Sequence, residues 1–189
     1  VIGTVWILCS EYTNALSHYA MHEKVLISFF QSVSARTAGF NSIDLTSFNP
    51  ASYMCLIILM IIGASPGSTG GGMKTTAFGI MAVSFWNVIR SSFRMDICKK
   101  TLCIETVLKS FALLVLIVIL ILGTFISLVF LETIASHKLF FEIVSAFGTV
   151  GFSLGATIEL SNVSKMIIMV VMFVGRIGPF TFLYALLKR

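Results

Sequence analysis

The chain has 189 residues, 57% of them hydrophobic and only 11% charged, with a mean hydropathy of +1.00. A soluble domain carries about 25% charged residues, so this balance excludes a water-solvated globule and a disordered tail, and points to lipid as the solvent. The net charge of +5 is local: Arg90, Arg94, Lys99, Lys100 and Lys109 stand against Asp96 and Glu105, and Lys188 and Arg189 close the chain.

Taken in chain order, residues 1–16 read as the tail of a membrane span, entered without an initiator Met, as expected of a fragment. Residues 18–24 are polar and interfacial. Residues 25–35 form an apolar helix too short to cross a bilayer, and 37–49 a turn and loop. Pro50, a residue suited to the first turn of a helix, opens an apolar segment, 50–89, whose one charge is Lys74. That is too long for a single simple span, and 63–74 (GASPGSTGGGMK) breaks it, because five glycines and a proline cannot continue a stable helix. A basic connector, 90–104, follows. Residues 110–131 then run for 22 positions without a charge, enough to cross a bilayer core as a helix; the span is read from about Glu105. Residues 132–138 are interfacial, 139–147 form a second short apolar helix, and 149–159 a second turn and loop. Ser161 opens the last span, to about Leu187. Cys9, Cys55, Cys98 and Cys103 lack metal or disulfide spacing, and Cys9 and Cys55 read as small buried hydrophobes. His18, His22 and His137 show no ligand spacing.

The chain repeats itself. VSARTAGF (33–40) matches VSAFGTVGF (144–152), so that Thr37, Gly39 and Phe40 recur 112 positions later as Thr149, Gly151 and Phe152. MIIG (60–63) recurs as MFVG (172–175) at the same offset. The fold class that follows is all-α and integral to the membrane, with two tandem units of span, re-entrant short helix, turn and span: 1–89 and 105–189. Both turns then lie on one side of the membrane and the connector on the other. Basic residues beside spans mark the cytoplasm, which puts the connector and the C-terminus inside and the turns outside.

Three motifs carry chemistry. Non-helical backbone at membrane depth must be buried in protein or line a water-filled path, and rings of carbonyls can replace the hydration shell of potassium. Thr37, Ala38, Gly39 and Phe40, with Thr149, Val150, Gly151 and Phe152, are the filter candidates, K+ being the ion they would ligate. Glycine supplies the positive φ that such turns need. Two turns make half of a four-fold ring, so two more must come from elsewhere. The second motif, 63–74, reads as a gate on the inner side of that filter, with Gly63, Pro66, Gly67, Ser68, Thr69, Gly70, Gly71, Gly72 and Lys74 as its residues. It is no phosphate-binding loop, because Met73 stands where that motif requires Lys. The third is Arg176, a costly charge in an apolar run. It lies 112 positions after Ala64 and so is expected level with the gate. Arg36 is read as support for the filter, through a carboxylate such as Glu142. No nucleophile–base set stands out, and no enzyme is expected.

SARTAGFNSIDL (34–45), GASPGSTGGGMKTT (63–76), SAFGTVGFS (145–153) and FVGRIGP (173–179) together resemble the Trk/Ktr/HKT superfamily of potassium transporters, closest to the bacterial Trk and Ktr membrane subunits. The resemblance covers essentially the whole chain. It implies the third and fourth of four units around one pore, with the first two missing. It implies a filter at 37–40 and 149–152, an intramembrane gating loop at 63–74, and a pore-facing arginine at Arg176. It further implies a plasma-membrane homodimer bound to a cytosolic nucleotide-sensing ring. The nucleotide would be held by that partner, with no cofactor in this chain and no nucleic acid. Potassium uptake is the expected function, a less selective Na+/K+ pathway the alternative, and a membrane-embedded nucleotide-dependent enzyme built on 63–74 the remote one, against which Met73 stands.

Overall fold

The computed structural model describes residues 1–68, 70–90 and 104–178, and the backbone alone of 96–97 and 100–101. Its helices are α1 (Ile2–Glu11), α2 (Met21–Ser34), α3 (Pro50–Ile61), α4 (Thr75–Ile89), α5 (Ile104–Leu131), α6 (Ser136–Gly148), α7 (Ala156–Glu159) and α8 (Asn162–Ile177). A 3₁₀ turn at Leu45–Ser47 precedes α3, and a two-residue antiparallel ladder pairs Asp96–Ile97 with Lys100–Thr101 in the connector. The apolar segment 50–89 breaks where its glycines fall, between α3 and α4. The rest of the connector, Pro179 and the far end of the last helix lie outside the described residues.

Among the described residues, α5 is the helix long and apolar enough to cross a membrane. Its 28 residues span roughly 42 Å at the usual helical rise, more than the bilayer core requires. The two short helices are packed in opposite ways. α6 sits between α3, α5 and α8, and Phe141, Ile143, Val144 and Phe147 are all fully buried. α2 packs on α1 with Ser28, Gln31, Ser32 and Ser34 inward, while Val25, Leu26, Phe29, Phe30 and Val33 are exposed.

Two carboxylates tie the helices of each repeat together. Glu11, at the end of α1, is fully buried and accepts from the Asn49 amide at 2.7 Å and from the Ser52 hydroxyl, at the start of α3. Glu132, just after α5, accepts from the Ser161 amide at 2.9 Å, at the start of α8. In both places an anion satisfies orphan N–H groups at a helix N-terminus. Cys9 corrects the sequence reading: it is exposed, whereas Cys55 is buried as expected, because one face of α1 is uncovered.

Candidate functional site

The short helices end where the turns begin, and their last carbonyls draw the turn amides back. Ala38 N and Gly39 N donate to Ser34 O at 3.1 and 3.2 Å, and Thr149 N and Val150 N donate to Ala146 O and Ser145 O at 3.1 and 3.0 Å. The Ser34 hydroxyl donates to Phe40 O at 2.6 Å. With the amides turned back, the carbonyls of Thr37, Ala38, Gly39, Thr149, Val150 and Gly151 accept no hydrogen bond among the described residues. Both turns carry the same backbone signature: φ is +83° and +51° at Thr37 and Thr149, and +73° and +96° at Gly39 and Gly151. A threonine at positive φ is uncommon and strained, and here it occurs at both repeat-related positions. Residue type alone assigned that conformation to the glycines, so the threonines were missed.

The turns meet. A Cβ on Gly39 would collide with the Val150 carbonyl oxygen and stand 3.4 Å from Gly151 Cα. The last residues of the turns differ, however: Phe40 is 70% exposed and Phe152 is 1% exposed.

Beneath the turns lies the glycine loop. Its neck is closed by Gly63 N donating to Met73 O at 3.0 Å and Met73 N to Ile61 O at 3.1 Å. At its tip, a Cβ on Gly70 would stand 2.9 Å from Thr37 Cγ2, and one on Gly71 would stand 2.6 Å from Thr149 Oγ1 and 3.0 Å from the Gly175 carbonyl oxygen. Gly71 N donates to Thr149 Oγ1 at 3.0 Å. The loop therefore rests against both turns through two residues that have no side chain to hold it off. Ser65, Pro66, Gly67 and Ser68 face outward, Gly72 is half-buried, and Thr69 lies outside the described residues. Lys74 Nζ donates back to Ser68 O and Gly70 O, both at 2.8 Å. Arg176 follows the Gly175 carbonyl that the loop touches; it is exposed and makes no ion pair among the described residues.

Arg36 and Glu142 are not partners here. The ion pair among the described residues is Lys109–Glu105, at 3.7 Å. Glu142, 6% exposed, accepts instead from the Ser153 hydroxyl and from Thr157 N at 3.3 Å, so it braces the chain just after the second turn. Gln31 occupies the matching place below the first turn, with Ser42 Oγ and Asn41 Oδ1 each at 3.5 Å. Arg36 lines a cavity of about 950 Å³, with Gly3, Ser32, Leu59, Ile62 and Phe78 among its walls. The role of Gln31 was missed, although it stands 111 positions before Glu142. No cluster of His, Cys, Asp or Glu suited to a metal occurs among the described residues.

A helical chain of this composition, with paired non-helical turns, is by class a helical membrane protein. The family model described as "TrkH: Cation transport protein" matches residues 3–188, and the chain belongs to that family. It is 40% identical to the Ktr system potassium uptake protein B of Vibrio alginolyticus and 36% identical to the Ktr system potassium uptake protein D of Bacillus subtilis, in both cases over 100% of this chain and 42% of the relative. It is 34% identical to the potassium/sodium uptake protein NtpJ of Enterococcus hirae, over 88% of this chain and 38% of the relative. The chain thus spans less than half the length of these curated relatives.

Proposed function

We propose that this chain supplies two of the four filter turns of a potassium uptake pore, as a transporter and not an enzyme. The observation that carries the reading is the pair of turns: each has positive φ at Thr and Gly, each leaves its carbonyls free, and the two meet at Gly39 and Val150. Free carbonyls turned into a path are what a dehydrated potassium ion needs, and the relatives named potassium uptake proteins agree with that ion. The units 1–89 and 105–189 are its third and fourth, with 90–104 joining them in the cytoplasm. The loop 63–74, resting against both Thr37 and Thr149, is the gate, and Arg176 sets a positive charge at its level. The turns face outward from the plasma membrane. The whole protein contains two further units upstream, pairs as a homodimer and carries a cytosolic ring that binds the regulatory nucleotide.

The test uses the full-length parent protein in liposomes. Rubidium flux is expected, together with rescue of a strain lacking potassium uptake; absence of both sinks the pore reading. A second reading, a pathway shared by Na+ and K+, draws on the relative named a potassium/sodium uptake protein. Sodium competing equally with rubidium in the same assay would favour it.

A further inference from the structure

We propose that Glu142 is the affinity-setting charge of the paired turns, a carboxylate whose counter-ion is the permeating cation itself. This rests on reading the turns as a filter. FFQSVSA (29–35) and FFEIVSA (140–146) match at an offset of 111, and the match sets Gln31 opposite Glu142. The two side chains do the same work on the chain just after their turns. Gln31 meets Asn41 and Ser42, and Glu142 accepts from the Ser153 hydroxyl and Thr157 N. The brace is common to both repeats, but the charge belongs to the second alone. Ser153 Oγ accepts from Gly155 N at 2.9 Å, which leaves its proton for Glu142. Both bonds fall on Oε1, and Oε2 makes no hydrogen bond among the described residues. A charge buried at membrane depth calls for a partner. Of the helices packed on α6, α3 carries no charged residue, α7 adds the like charge of Glu159, and Glu105 and Lys109 of α5 pair with each other. Lys165 and Arg176 of α8, and Lys138 one turn back on α6, make no ion pair with Glu142 among the described residues. Ser153 follows Gly151 by two positions, so the carboxylate it serves lies beside the free carbonyls of 149–151. A cation held by those carbonyls is the missing counter-ion, and away from bulk water the attraction is weakly screened.

The experiment is the concentration dependence of rubidium flux through the full-length parent protein in liposomes. Glu142→Gln separates charge from brace: the amide oxygen keeps the bonds to Ser153 and Thr157, and the amide nitrogen takes the place of the unbonded Oε2. Its KM for rubidium is expected to rise about ten-fold, the effect of one weakly screened charge, with Vmax near the parent value. The exchange of Gln31→Glu with Glu142→Gln, which moves the charge to the first repeat, should bring KM back toward the parent. An unchanged KM in Glu142→Gln, or a fall in Vmax alone, would mark a brace and overturn the proposal. If Glu142→Gln does not assemble, Gln31→Glu in the parent background decides: a lower KM supports the charge, and an unchanged KM sinks it. A parent protein that passes no rubidium would sink the pore reading itself, whereas normal parent flux with KM indifferent to Glu142→Gln removes the charge alone.

Discussion

Gly39 shows how a single residue can be committed twice. Its φ of +73° favours glycine, and its missing Cβ leaves room for the Val150 carbonyl. Gly155 has a similar φ of +84° with open space around it. Alanine at Gly155 pays only the left-handed penalty, about 1–2 kcal/mol. Alanine at Gly39 pays that and also pushes the two turns apart. Rubidium flux should therefore fall at least ten-fold in Gly39→Ala and stay near the parent level in Gly155→Ala; equal losses in both would remove the turn-to-turn contact from the mechanism. The glycines and their repeat offset were legible in the sequence. The positive φ of Thr37 and Thr149 was not, because threonine carries no preference for that region and adopts it here only where its surroundings dictate it. The partner of Glu142 was not legible either: a carboxylate just before the second turn was read as a partner for the arginine just before the first, but its donors are the Ser153 hydroxyl and the Thr157 amide.

At the scale of elements, the sequence placed the helices well because the breakers are strong. Pro50 starts α3, the glycines of 63–74 separate α3 from α4, and Ser161 caps α8 by accepting from Ser164 N. What it did not show is how the helices of a repeat are joined, since Glu11 and Glu132 lie 121 positions apart, outside the common offset. Glu132 lies beyond the end of α5, and its pKa is held below the usual value of 4.5 by the Ser164 and Ser161 hydroxyls and the Ser161 amide. A depressed carboxylate stabilises the fold above its unfolded pKa, and that contribution is lost as pH falls through the folded value. The parent should thus melt at a higher temperature than Glu132→Gln at pH 7, and the difference should shrink below pH 4.5. A gap in melting temperature independent of pH would show that the charge of Glu132 contributes nothing to joining α5 and α8.

At the scale of the whole molecule, the asymmetry between α2 and α6 is the feature that repetition alone would not predict. The two short helices are related by sequence, yet α6 is enclosed while α2 turns Val25, Leu26, Phe29, Phe30 and Val33 outward. Phe40 is exposed where Phe152 is buried, and the cavity beside Arg36 opens near the same helix. In a closed ring of four units the second of two adjacent quarters covers the first on one side only, so the outward face of α2 is where a preceding unit would pack. Lipid would tolerate the same apolar face, and the two possibilities differ in what a small substitution does. Against a neighbouring unit, Phe29→Ala removes packed contacts and leaves a cavity, a loss of about 3–5 kcal/mol for a buried Phe. Against lipid, the freed space is filled by acyl chains at little cost. With the upstream half of the parent co-expressed as a separate chain, the two halves should co-purify and pass rubidium, and Phe29→Ala together with Phe30→Ala should abolish the association. Halves that co-purify equally well with both substitutions would place this face against lipid, and the proposed upstream units would then have to close the ring from another side.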